Sequence, residues 1–377
     1  MSENQNLSRG LKNRHVQLLA IGGAIGTGLF LGSGRSIHLA GPSILFAYMI
    51  TGVACFFIMR ALGELLLSNL NYHSFVDFVY DYLGERTAFI TGWTYWFCWI
   101  SLAMADLTAA GLYIQYWFPN IAQWVPSLIV LAILVGLTAG ETENPEHVIP
   151  KAINNIPIRI IIFYVGALFV IMSIYPWNSI NPDNSPFVQV FAAVGIAAAA
   201  SIVNFVVLTS AASACNSGIF STSRMVYSLA KENNAPESMK KLTSNQVPAN
   251  ATVLSAIVVL IAVIMQYIMP EGVFVLITSI STFCFIFIWA IIIVCHLRYH
   301  KTNPELAAKS KFKMPLYPIA NYIILAFFAF VIVVLALNEE TRVALFVTPV
   351  WFIMLGVIYK ILKSKMKNEE DVESNLA

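Results

Sequence analysis

The sequence predicts an all-α, polytopic membrane protein. Three observations carry that class. Hydrophobic residues make up 58% of the 377 residues and charged residues only 11%, where a soluble domain carries about 25% charged residues. The apolar residues come in runs long enough to cross a hydrocarbon layer, which takes ~20 residues per helix. The positive residues collect in alternate gaps between those runs, the mark of a chain threaded repeatedly through a bilayer.

Taken in order, the runs are 16–34, 43–67, 88–115, 122–138, 157–176, 188–217, 250–268, 273–297, 318–337 and 343–363, ten in all. The first follows a polar segment, 1–15, with Arg9, Lys12 and Arg14. It has no small-residue cleavage site, so it reads as a retained span and not as a signal peptide. The fourth is short for a full crossing. Turn-rich stretches such as "YPWNSINPDNSPF" (175–187) and "KENNAPESMKKLTSNQVPAN" (231–250) separate the runs. With the N-terminus in the cytoplasm, nineteen Lys and Arg fall on that side, from Arg9, Lys12 and Arg14 through Arg86, Lys151, Arg159 and Arg224 to Lys367. Only Arg35 and Arg342 fall outside, and Arg60 lies within a span near its inner end. This bias predicts both termini inside, an even number of crossings, and a cytoplasmic tail at 364–377. The formal charge of +2 makes no case for nucleic acid. The five cysteines all lie in apolar runs without metal-ligand spacing, so free, packed thiols are expected.

Within the first span, "AIGGAIGTGLFLGSG" (20–34) holds six glycines, each of which weakens a helix by about 1 kcal/mol relative to alanine. Gly26, Thr27 and Gly28 fall near the bilayer midplane. A break there would free N–H groups at the positive end of a half-helix, where transporters hold an anionic substrate group. Glycines also let membrane helices pack closely, so both readings stand. Only two carboxylates fall within spans, Glu64 and Asp106, and intramembrane acids are functional suspects. Glu64 follows Arg60 by one helical turn, a spacing that predicts an ion pair. Asp106 has no charged neighbour in sequence. It is a coupling or gating candidate, or else a buried acid kept neutral by hydroxyl partners. His15, His38, His73, His147, His296 and His300 all fall at span edges or in loops, which argues against a histidine proton relay. Ser210, Ser213 and Ser217 share one face of the sixth span, as pore lining or as helix–helix glue. Trp93, Trp96 and Trp99 read as packing and interface anchors. There is no phosphate loop, metal-ligand cluster or hydrolase triad. No enzyme, cofactor or metal site is therefore expected.

The stretches "LKNRHVQLLAIGGAIGTGLFLGSG", "GPSILFAYMITG", "RALGELLLSN", "FITGWTYWFCWI", "TAGETENPEHVIPKAINNIPIRI", "VLTSAASACNSGIFSTSRMVYSLA" and "VTPVWFIMLG" resemble bacterial amino acid permeases of the amino acid–polyamine–organocation superfamily. They are most similar to the D-serine/D-alanine/glycine permease group. The resemblance runs through nearly the whole chain. It implies a twelve-helix, inverted-repeat fold, and proton-coupled uptake of a small amino acid across the bacterial inner membrane. By that resemblance Gly26, Thr27 and Gly28, flanked by Ile25, receive the substrate carboxylate. Phe97, Cys98 and Ser101 face the pocket from the third helix. Ser210, Ser213, Thr278 and Ser281 match pocket-side positions further on.

The chain departs from the family pattern in one place. After "IAQWVPSLIVLAIL" it runs directly into "VGLTAGETENPEHVIP", which resembles the end of the family's sixth helix. An internal deletion with its junction near 131–138 is implied, and with it the loss of the half-site that would hold the substrate ammonium. A non-transporting member of the same family is therefore the alternative to an active symporter. A pore left open by the missing helices is a third possibility.

Overall fold

The computed structural model describes residues 26–72, 74–138, 160–243, 247–270 and 272–376. Every regular element among them is helical. The main helices are α1 (Ser33–Ala40), α2 (Ile44–Ser68), α3 (Phe75–Leu83), α4 (Glu85–Gln115), α5 (Trp124–Thr138), α6 (Ala167–Ile174), α7 (Pro186–Ala193), α8 (Ala197–Lys231), α9 (Ala249–Ile268), α10 (Val273–Thr302), α11 (Pro304–Lys309), α12 (Ile319–Leu337) and α13 (Glu339–Leu376). Among the described residues, seven helical runs are long and apolar enough to cross a membrane, and two shorter apolar helices, Trp124–Gly136 and Tyr164–Ile174, accompany them.

Most helices match the expected spans within a few residues, and the differences have local causes. The expected span 188–217 is two helices. The chain turns at Gly195, whose φ of +79° only glycine adopts cheaply. α8 then continues to Lys231, since nothing after residue 217 breaks it. Its late cations lie along aromatic rings, Arg224 over Phe220 at 4.2 Å and Lys231 over Tyr227 at 4.9 Å, so the apolar stems stay covered while the charges reach outward. α10 likewise runs past 297 to Thr302, with His300 and Lys301 in a last turn where the helix dipole favours cations. The residues expected as a C-terminal tail continue α13 as helix to Leu376. Residues 16–25 of the first expected span lie outside the described residues.

The chain divides into two compact units. The first comprises residues 1–59 and 99–277. In it α8 packs on α5, α7 and α9, and α5 also packs on α9. One apolar cluster gathers Leu29, Ile37, Ile44, Leu168, Ile171, Ile180 and Val190. Another gathers Leu31, Ala109, Ala110, Tyr113, Val207 and Ala211. Small residues bring helices close here. A Cβ on Gly218 would stand 2.8 Å from the Ala103 side chain, and one on Gly111 would stand 2.9 Å from the Gln123 carbonyl oxygen. The second unit comprises residues 60–98 and 278–377. Its α3 is opened by a reciprocal cap. Ser74 Oγ accepts from the Val76 N–H, and the Ser74 N–H donates to Asp77. In this unit α12 packs on α13.

Candidate substrate and coupling site

In the first unit, Gly26 and Thr27 are helical and Gly28–Gly32 is wound as a π-helix. π-helical turns within helices recur at functional sites. Residues before Gly26, on which any opening of the helix also depends, lie outside the description, Ile25 included. The glycines divide into two kinds. Gly34 is held by packing, because a Cβ there would meet the Asn184 carbonyl oxygen at 2.8 Å. At Gly26, Gly28 and Gly32 no described atom lies within 4 Å of an added Cβ. Among the described residues, close packing is therefore not what these three positions provide.

Thr27 is buried, and its hydroxyl donates to Asp106 Oδ1 at 2.7 Å. Asp106 is buried in α4. It belongs to a polar layer that sequence inspection missed. The Thr108 carbonyl, two residues on, accepts from Gln123 Nε2 at 3.2 Å and from Gln266 Nε2 at 3.4 Å. Ser127 Oγ donates to the Leu107 carbonyl at 3.3 Å, and Asn204 Nδ2 donates to the Tyr113 carbonyl at 2.8 Å. In an apolar interior each of these amides and hydroxyls must find a partner. The signal was available in part, since Gln266 and Asn204 interrupt apolar runs, but their common target on α4 was not. Ser101 is buried in the same unit, Ser210 is half-buried, and Ser213 and Ser217 are exposed. The buried side of α8 is instead Ala200, Asn204, Val207, Ala211 and Cys215.

The other candidates lie in the second unit. Phe97 stacks on Trp351 with centroids 4.3 Å apart. Ser281 Oγ donates to the Cys98 carbonyl at 3.4 Å, with both residues buried. Thr278 is half-buried, and its carbonyl accepts from Thr282. Glu64 corrects one expectation. It does not pair with Arg60. It bonds His296 Nε2 at 3.0 Å and His300 Nε2 at 3.1 Å. Arg60 instead donates to the Lys313 carbonyl and covers the Phe312 ring at 3.7 Å. His296 is fully buried within α10, which continues beyond it to Thr302.

Similarity to known proteins falls on the same residues. The family profile described as amino acid permease matches residues 15–138 and 132–372, two segments that overlap near the end of α5. The uncharacterized transporter YdgF of Bacillus subtilis is 62% identical, over 96% of this chain and 97% of its own. The amino-acid permease AapA of the same organism is 58% identical, over 95% and 96%. The D-serine/D-alanine/glycine transporter of Escherichia coli K12 is 45% identical, over 97% and 96%. These alignments run to 444, 442 and 451 positions, more than this chain's 377 residues, so the relatives carry residues that it lacks. These relatives are transporters and permeases, not enzymes. With its membrane-spanning helices and a family match over most of its length, the chain is a multi-pass membrane protein and a member of the amino acid permease family.

Proposed function

We propose that the glycine run and Asp106 form a joint site for a small neutral amino acid, of the glycine, D-alanine and D-serine class, and for a proton. The setting is secondary active symport across a bacterial inner membrane, with both termini cytoplasmic. The observation that carries this reading is the Thr27–Asp106 hydrogen bond. It sets an ionisable group directly against the backbone that receives the substrate carboxylate in this family. An ionised Asp106 repels a second carboxylate at such range, and a proton removes the repulsion. Proton and amino acid then enter together. Similarity to a transporter named for D-serine, D-alanine and glycine supports the substrate class. Ser101, Ser210 and Ser213 in the first unit, and Phe97, Cys98, Thr278 and Ser281 in the second, remain substrate-contact candidates through the family resemblance.

A second reading has its own observation. The two-piece family match meets at 132–138, which supports an internal deletion with its junction near 131–138. On this reading the chain inserts and keeps one side of the site. It does not complete the transport cycle, because alternating access moves one bundle against another around a site shared by both repeats. Uptake of radiolabelled glycine, D-alanine and D-serine in cells lacking their own permeases separates the two, with membrane levels followed by blot. Saturable uptake that collapses with the proton gradient supports the symporter. A membrane-inserted chain with no uptake above empty vector supports the second reading.

A further inference from the structure

Glu64, His296 and His300 gather one carboxylate and two imidazoles around a common point in the second unit. Their ligand atoms all lie within 4.8 Å of one another. His296 and His300 stand one turn apart on α10, which puts both rings on one face, and Glu64 reaches them from the end of α2. The Glu64 and His296 side chains are wholly buried, and that of His300 is 14% exposed. No Lys or Arg among the described residues pairs with Glu64, since Arg60 is engaged by Phe312 and the Lys313 carbonyl.

We propose that these three residues form a binding site for one divalent transition-metal ion of the zinc type. The donor set, two histidine nitrogens and a carboxylate with a fourth position open, is one that zinc accepts. Tetrahedral bonds of about 2.0–2.2 Å set neighbouring donor atoms about 3.3–3.6 Å apart. The Nε2–oxygen pairs here stand at 3.0 and 3.1 Å and all the ligand atoms lie within 4.8 Å of one another, so side-chain shifts of up to about an ångström bring the three donors onto one ion. The supporting groups are also in place. The Met314 N–H donates to Glu64 Oε2 at 2.6 Å. The Tyr317 ring stacks on His300 with centroids 3.9 Å apart. The Asn321 amide meets His296 Nδ1 at 3.0 Å.

The Asn321 contact bears on which nitrogen of His296 carries the hydrogen. Asn321 Oδ1 is buried without a partner. The oxygen and nitrogen of an amide have nearly the same shape. Turned over, Asn321 gives up its Nδ2 donation to the Ile293 carbonyl at 3.4 Å and presents Oδ1 to accept from a His296 Nδ1–H, which in a neutral imidazole leaves the Nε2 lone pair aimed at Glu64. A lone pair facing a carboxylate is repelled by it, and a cation between them, a proton or a metal ion, removes that repulsion. A histidine that donates from one nitrogen to a neighbouring oxygen and ligates through the other is the usual metal arrangement. Bound there, the ion ties the end of α2 to α10 and to the segment carrying Met314 and Tyr317. This site does not depend on whether the chain transports.

The test uses the full-length chain purified in detergent and stripped with chelator. Titration with Co²⁺ is expected to give one ion per chain and the visible absorption of a tetrahedral nitrogen–oxygen site, which Zn²⁺ then abolishes. His300→Gln is expected to weaken Zn²⁺ binding by on the order of tenfold or more, and His296→Gln with His300→Gln to remove it. No cobalt spectrum from the unsubstituted chain overturns the proposal whether or not the variants fold. So does zinc affinity unchanged by His300→Gln.

Discussion

Thr27 Oγ1 donates to Asp106 Oδ1 across 79 residues of sequence, and both side chains are buried. The bond ties the glycine run, where the backbone changes to π-helical winding at Gly28, to the middle of α4. A buried acceptor stripped of its donor loses stability by about 1–3 kcal/mol. Thr27→Val is therefore expected to lower the thermal unfolding midpoint in detergent, while Thr27→Ser retains the bond and stays near the parent. Equal midpoints for Thr27→Val and the parent would show that the bond contributes nothing.

Asp106→Asn keeps an oxygen for Thr27 and loses the proton equilibrium. In the parent, amino acid binding is expected to weaken as pH rises, because the ionised Asp106 repels the substrate carboxylate. In Asp106→Asn that dependence is expected to vanish, with affinity held near the parent's low-pH value. Binding of tritiated glycine to purified protein over a pH series measures both. A variant with the parent's pH profile would remove Asp106 from the coupling.

The glycines are expected to separate by substitution. Gly34→Ala and Gly218→Ala each place a Cβ 2.8 Å from a neighbour, overpacking that costs about 1–3 kcal/mol. Gly28→Ala meets no described atom within 4 Å and is expected to fold as well as the parent or better, by up to about 1 kcal/mol. Gly28→Leu is expected to fold and to lose glycine binding by filling the carboxylate position. Intact binding in Gly28→Leu would move the site elsewhere.

Orientation follows from the charge bias. A cytoplasmic reporter fused after Lys367 is expected to be active, and an external reporter there silent. The reverse is expected for fusions within 181–186, "NPDNSP". Activity of a cytoplasmic reporter at 181–186 would break the alternation of spans.

The internal gap is open to direct repair. Grafting the corresponding segment of a full-length relative between residues 131 and 138 is expected to raise proton-driven glycine uptake on the order of tenfold or more at equal membrane level, about 1.4 kcal/mol in the limiting barrier. No gain from a well-inserted graft would show the segment to be dispensable.

The sequence by itself determined the fold class and most helix positions, because hydropathy in runs and the scarcity of charge act locally and need no partner. It also marked Asp106 and the Gly26–Gly28 stretch, since a carboxylate or a glycine cluster inside an apolar run is conspicuous wherever it folds. Helix ends were less legible. α8 and α10 outrun their apolar segments because helix continues as long as nothing breaks it, whatever the hydropathy. Only the tertiary structure decided the partners. Arg60 and Glu64 are correctly spaced for an ion pair, yet Glu64 bonds two imidazoles that arrive 232 and 236 residues later. Thr27 meets Asp106, and Gln123 and Gln266 meet one carbonyl on α4. Spacing along a helix sets which side chains share a face. Which buried polar group satisfies which other depends on helices distant in sequence, and packing alone brings those together.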